Sequence, residues 1–413
     1  MTSTAGASGA ATHDHDVIVV GARCAGAPTA MLLARLGHRV LLVDRATFPS
    51  DTISTHLIHP PGLAALERWG LLDRVVRTGC PAIDLYAFDL GPFVIAGSPA
   101  GEGFDVSYAP RRTILDKILV DAAVESGAEV REGFTVEEIL FDGGTVTGIK
   151  GHGRDGRTSA NHARIVVGAD GLHSTVAKAT AATAYAEKPK INAYYYTYWA
   201  DLPMYGQFEA FDREDRAFAA WPTNDDLTMV IAAWPMRDFE ANRGDIEGNY
   251  HATLARAPAF AERISKATQA ERFVGMAIPN YFRKPYGPGW ILVGDAGYLK
   301  DPITAQGIQD AFRDAERCTG ALDDVLAGRR PFEEAMRDCQ EARDSDVMSM
   351  YEFTAGFATL EPPPPEMQQL LLAASRSRSA QDEFARVTAG VTQPEEFFGH
   401  MQRRMEQHTP HAA

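Results

Sequence analysis

Three aspartates stand at the ends of short apolar runs, where a carboxylate can meet a ligand hydroxyl. Asp44 closes VLLVD, Asp170 stands in VVGADG, and Asp295 follows WILVG. Related chemistry lies upstream in VVGARCAGAPTA, residues 19–30. Gly21 lets a chain turn sharply out of a strand, and Gly26 lets the next helix pack close to a sheet. The free N–H groups of that helix start would then face a pyrophosphate. Arg23 stands where the pattern G-x-G-x-x-G has its second glycine. Its side chain must therefore point away from the phosphates or contact them. Asp44 lies where the ribose of a dinucleotide would fall, and its charge disfavours a 2′-phosphate there.

The elements that must hold these residues can be read around them. VIVV (17–20) is β-branched throughout, as a buried parallel strand should be. PTAMLLARLGHR continues as a helix, with Met31, Leu32, Leu33 and Leu36 on a helical period. Pro28 is tolerated in the first turn, whose N–H groups have no helical partner, and Gly37 makes a stop. VLLV (40–43) is a second buried strand, so the unit is β-α-β. Residues 111–130 predict a helix and then a strand, with Ile114, Leu115, Ile118, Leu119 and Ala122 on one face. Residues 164–176 predict a strand, a tight turn through Asp170 and Gly171, and a helix start.

GWILVGDAGYLKDPITAQGIQDAFRDAE (289–316) narrows the ligand. Gly294 and Asp295 at a strand end suit hydrogen bonds to a ribitol chain. DPIT, with Pro302, is a rigid loop. A helix opening through Ala305, Gly307 and Ile308 can aim its positive end at a developing anion. Reduced flavin carries such an anion around N1 and the C2 carbonyl.

With these four motifs in this order over residues 16–320, the chain resembles the class A, single-component FAD-dependent monooxygenases of the aromatic hydroxylase fold. Flavin halogenases and geranylgeranyl-reductase-like enzymes belong to the same superfamily. The resemblance implies an α/β fold. A Rossmann-like FAD-binding domain of glutathione-reductase type would carry an inserted antiparallel-sheet substrate domain and a C-terminal helical segment. It implies that Gly21, Arg23, Cys24, Ala25 and Gly26 line the FAD pyrophosphate, and that Asp44 and Arg45 lie at the adenosine ribose. Arg112, which opens R-x-x-L-D, would contact the phosphate or ribitol region. Asp170 and Gly171 carry the D-G motif, linked in the family to FAD and the nicotinamide cofactor. Gly294 and Asp295 would contact the ribitol, Ala305, Gly307 and Ile308 would sit near the flavin ring, and Pro302 beside flavin and substrate. Gln309 stands where the family often has asparagine, and Tyr298 where many members have histidine. The basic residue that often follows the D-G motif is displaced, with Lys178 as its substitute. No second glycine turn follows another strand, so NAD(P)H, the implied electron donor, would bind transiently at the shared pocket.

Candidate catalytic residues are Pro302 and two histidines in PSDTISTHLIHPPG: His56, bordering the flavin ring, and His59, titrating near the substrate. Residues 186–279 are rich in aromatic and β-branched runs and predict strands. AAWP occurs twice, at 219–222 and 232–235, on either side of the turn TNDD, and reads as a hairpin. Tyr196, Trp221 and Trp234 are the candidate substrate residues, an aromatic wall suited to a planar or lipophilic molecule. The expected organisation is a disordered tail (1–14), an FAD-binding domain (15–85, 105–185 and 280–330), a substrate domain (86–104 and 186–279) and a helical region (331–413).

The net charge of -15 argues against nucleic acid or an anionic membrane as partner. Four cysteines without metal or disulfide spacing fit a reducing cytoplasm. No apolar run is long enough for a membrane span. The chain is expected to be a monomer or homodimer. Its expected function is hydroxylation of an aromatic or polycyclic small molecule, by one oxygen atom of O2, through a flavin C4a-hydroperoxide. Reduction of carbon–carbon double bonds, halogenation and non-catalytic FAD binding are the alternatives. Halogenation is disfavoured because none of the five tryptophans forms the W-x-W pair of halogenases.

Overall fold

The computed structural model describes residues 14–408. The expected tail therefore falls, apart from Asp14, outside the described residues. The first strand, His15–Val20, lies between Thr158–Gly168 and Val40–Asp44 and runs parallel to both. Glu129–Glu132 extends this parallel sheet on one side and Trp290–Leu292 on the other. Side chains alternate across a strand, which accounts for its two packed faces. Val17 and Val19 pack on the helix side, with Met31 of Gly26–Arg35, Leu115 and Leu119 of Arg112–Glu125, and Phe312 of Gly307–Leu326. Ile18 and Val20 pack on the opposite side, against Ile139, Val146 and Ile149 of a long hairpin. The strand ends at Asp44, Gly168 and Leu292 thus reach one edge of a three-layer unit, where ligands bind in open parallel sheets.

A second, largely antiparallel sheet is built around Asn192–Ala200, Thr228–Pro235, Arg216–Pro222 and Gln207–Arg213. Leu85–Asp89 joins it in parallel beside Gln207–Arg213, and Val94–Gly97 closes that edge. Here too period two sorts the faces. Tyr194, Tyr196, Tyr198, Trp221 and Ile231 face one core, while Tyr195, Trp199, Val230 and Trp234 face the other. Helices Ile246–Leu254 and Pro258–Ile264 cover the second face through Tyr250 and Phe260.

The C-terminal helices cover the first face. Phe384 of Arg378–Thr388 packs edge-on against Phe88 at 5.1 Å between ring centres. This helix runs so close to Val94–Gly97 that a Cβ on Gly97 would fall 2.2 Å from the Gln381 carbonyl oxygen. Gln306 and Gln309 then tie the end of this helix to the start of Gly307–Leu326, donating to the carbonyls of Thr388 (2.8 Å) and Ala389 (3.2 Å). The glutamine that departs from the family's asparagine is therefore engaged in holding the C-terminal region. Among the described residues, no helix is long and apolar enough to cross a membrane.

Candidate functional site

The glycine turn has the shape its sequence requires. Gly21 adopts φ +100°, and a Cβ there would lie 2.4 Å from the Ala169 carbonyl oxygen. At Gly26 a Cβ would lie only 1.7 Å from the Gly21 carbonyl oxygen. The helix can start against the turn only because both positions lack a side chain. Asp44 holds the turn from the neighbouring strand end, accepting from the N–H groups of Ala22 and Ala46, each at 2.7 Å. Arg45 beside it is exposed.

Arg23 takes the first of its two options and reaches away from the turn. Its guanidinium donates to Asp116 at 2.5 Å, to the Ser50 carbonyl at 3.2 Å and to the Asp51 carbonyl at 3.1 Å. Arg112 meets the same carboxylate through Nε and Nη2, at 3.0 and 2.9 Å. The Cys24 thiol lies 3.5 Å from it. Asp116 is thus a fully buried hub joining the turn to the start of Arg112–Glu125, while Arg23 itself ties the turn to the 50–51 loop. It was not among the sequence candidates, although it closes R-x-x-L-D, four residues after Arg112 and hence on the same helix face.

Asp170 caps the helix Thr175–Ala179, accepting from the Thr175 N–H at 2.6 Å and the Ser174 hydroxyl at 2.5 Å. Burial raises its pKa, while those hydrogen bonds oppose the rise. Gly171 follows at φ +75°.

Asp295, at the strand end, is exposed. The surrounding protein pushes its pKa up to about 6, against the pull of Arg112. Gly294 is anchored by its N–H on the Asp314 carboxylate at 3.0 Å. Ala305 is left-handed at φ +53°, so the helix begins at Gly307, two residues later than a helix opening at Ala305 would. Gly307 is itself exposed, and a Cβ there would meet open space.

Both candidate histidines are fully buried. His56 has φ 61°, stacks on Tyr198 and bonds its hydroxyl through Nε2. Burial, then the charges of Arg112 and Arg111, drive its pKa well below the ordinary value. His59 lies between the Tyr86 hydroxyl (2.6 Å) and the Thr304 carbonyl (3.2 Å). Burial lowers its pKa to about 4. This corrects the expectation that His59 titrates near the substrate around neutrality.

A testable consequence concerns stability. A histidine with a folded pKa below its unfolded value favours the folded state above pH 6.5, and this contribution is lost as pH falls toward 4. For His59 the loss is on the order of 3 kcal/mol. Asp295 and Asp301 act with opposite sign over the same range, because burial raises both. The signature is therefore a difference: urea midpoints should fall more steeply between pH 6.5 and 4.5 in the wild type than in His59→Gln. Parallel curves would contradict the neutral, buried assignment.

An apolar cavity lies between the second sheet and the 302–305 loop. Thr55, Tyr194, Phe208, Trp221, Pro302 and Ala305 are among its walls. Trp221 stacks on Phe208 at 5.4 Å. Tyr196 shares the sheet face of Trp221 but packs edge-on to His56 at 6.5 Å and does not line the cavity. Trp234 is corrected: it lies on the opposite face, stacked on Tyr195 at 5.1 Å. The antiparallel pairing is the reason. Trp221 pairs with Met229, and Trp234 lies five residues further along, an odd step that reverses the face. Sequence reasoning also missed Asp301. Its buried carboxyl, pushed up by desolvation to about 7, accepts from the Tyr194 hydroxyl and from the Ile303 N–H.

These residues fit FAD. A glycine turn faces a helix start, Asp44 stands at the adjoining strand end, and the loop of the accessible Asp295 packs through Gly294 against Ala311 of a second helix, whose first residue, Gly307, is exposed. Fold and site together are those of a flavoprotein. The model of the FAD binding domain family matches residues 14–347, and the chain belongs to that family. It is 29% identical over 315 residues to digeranylgeranylglycerophospholipid reductase 2 of Methanopyrus kandleri, covering 72% of this chain and 74% of that protein. It is 28% identical over 342 residues to 6-methylpretetramide 4-monooxygenase of Streptomyces rimosus, covering 79% of each. The structure of a myxobacterial chondrochloren halogenase superposes with a TM-score of 0.79 at 23% identity, covering 96% of this chain and 98% of the other. The chain is thus an FAD-dependent oxidoreductase of a family that includes monooxygenases.

Proposed function

We propose that this protein hydroxylates an aromatic or polycyclic small molecule, taking electrons from NAD(P)H and one oxygen atom from O2. The observation that carries this reading is the aromatic-walled cavity that shares Pro302 and Ala305 with the candidate flavin loop. FAD, when bound, supplies the redox chemistry. Gly21, Gly26, Asp44 and Asp295 would hold it, with Arg112 and Asp116 fixing the ground beneath the turn. Trp221 and Phe208 offer a planar substrate a flat wall, and the apolar lining excludes water from the reacting atoms. Tyr194, bonded to Asp301, keeps a proton at that wall. The monooxygenase from Streptomyces rimosus, similar along most of both chains, supports the same reading.

A second reading, reduction of a carbon–carbon double bond, is favoured by the likeness to the archaeal lipid reductase and by the same apolar cavity. One experiment separates them. Aromatic and polycyclic compounds are screened for stimulation of NAD(P)H oxidation, with O2 uptake and product mass followed together. Hydroxylation gives matched O2 uptake and a product heavier by one oxygen atom. Saturable stimulation without O2 uptake, with a product heavier by two hydrogens, would overturn it.

A further inference from the structure

Two of the four cysteines meet in the fold. Cys318 lies on Gly307–Leu326 and Cys339 on Phe332–Phe357, and their sulfur atoms are 3.6 Å apart. Both are free thiols. Cys318 is buried, while Cys339 is half-buried and so is the one that solvent reaches. The hydrogen bond from Cys318 lowers the pKa of Cys339 against the opposing pull of burial and the Asp314 charge, with Arg317 and Arg343 on the lowering side. The same contact, with burial, raises that of Cys318. An accessible thiol of lowered pKa beside a second thiol is the arrangement of a reactive pair.

The same two helices grip the Gly-Asp loop. Asp314, one turn before Cys318, accepts from the Gly294 N–H at 3.0 Å. Arg343, one turn after Cys339, donates to the Gly297 carbonyl at 3.3 Å. Anything that draws the sulfurs together acts on the two elements that hold the loop carrying Asp295.

We propose that Cys318 and Cys339 form a redox site, oxidised by hydrogen peroxide to an intramolecular disulfide that tightens the hold of both helices on the 294–297 loop. In the first step the Cys339 thiolate attacks the peroxide. The O–O bond breaks, Cys339 becomes a sulfenic acid, and the departing hydroxide takes up a proton as water. Cys318 then attacks the sulfenic sulfur. The S–S bond forms, the S–O bond breaks, and the hydroxyl leaves with the Cys318 proton as a second water. Two thiols and one peroxide give one disulfide and two waters, with two electrons passing from the sulfurs to the peroxide. Bond formation moves the sulfurs together by about 1.5 Å. Cys24 and Cys80 do not compete, because burial raises both thiols, that of Cys80 to about 12.

The test is titration of the full-length protein with hydrogen peroxide, counting thiols after denaturation. The wild type should fall from four thiols to two, with a Cys318–Cys339 bridge in the peptide map and full recovery on adding dithiothreitol. Cys339→Ser should keep its three remaining thiols, whereas Cys318→Ser should stop at a sulfenic acid that dimedone traps. A wild type that keeps four thiols, or bridges other cysteines, would overturn the site. The effect on the loop rests on the flavin reading and is measured separately. FAD should dissociate about fivefold more slowly from oxidised than from reduced protein, and equal rates would overturn the coupling. If no FAD binds, the thiol count still decides the first claim.

Discussion

Asp116→Ala should lower the unfolding free energy by about 3–5 kcal/mol, the usual cost of removing one partner from a buried ion pair. The side chain is completely buried and takes charge-assisted hydrogen bonds from Arg112 and Arg23. Arginine cannot escape by losing its proton, so Arg112, buried with it, would be left as an unpaired cation. The same change frees the turn from the start of Arg112–Glu125, so bound FAD should also be released more readily. Asp116→Asn, which keeps the volume but not the charge, should fall between the two. Urea unfolding followed by tryptophan fluorescence measures this. A loss within about 1 kcal/mol, the range of a solvent-exposed pair, would show that the carboxylate is no hub.

Gly26→Ala should leave the fold standing but weaken FAD binding at least about a hundredfold, or roughly 2.7 kcal/mol. The added methyl would meet the Gly21 carbonyl oxygen at 1.7 Å, a backbone atom that cannot swing aside. The helix start must retreat from the turn, taking its N–H groups away from the pyrophosphate. Gly37→Ala is the control. It has open space around it but φ +90°, so it should cost stability through local strain without changing FAD affinity. Equal losses of affinity in both variants would mean that Gly26 acts through general destabilisation.

Much of this site is legible in the order of the residues. Asp44 and Asp295 stand out at the ends of short apolar runs, because a parallel strand buried on both faces leaves its ends as the exit to a ligand. Asp116 is within reach of the same reasoning, through its helical spacing from Arg112. The fates of the histidines are not. The groups that bond His59 stand 27 and 245 residues away, at Tyr86 and Thr304. Only the tertiary fold supplies the burial that sets its pKa. Trp234 marks a case between these. The repeated AAWP correctly announces a hairpin, but which face each tryptophan takes depends on the pairing register, which a repeated word does not carry. Cys318 and Cys339 show the same limit, since 21 residues and a helix–helix turn separate two sulfurs that end in contact.

The central claim is that FAD binds along the glycine turn and the loop of Asp295. Calorimetric titration of flavin-free, full-length protein with FAD tests it most directly, with Asp44→Ala and Asp295→Ala alongside. The account predicts one FAD per chain and an affinity at least about tenfold weaker in each variant, the loss expected for a hydrogen bond to a charged group. No saturable binding, or saturable binding that neither substitution weakens, would contradict it.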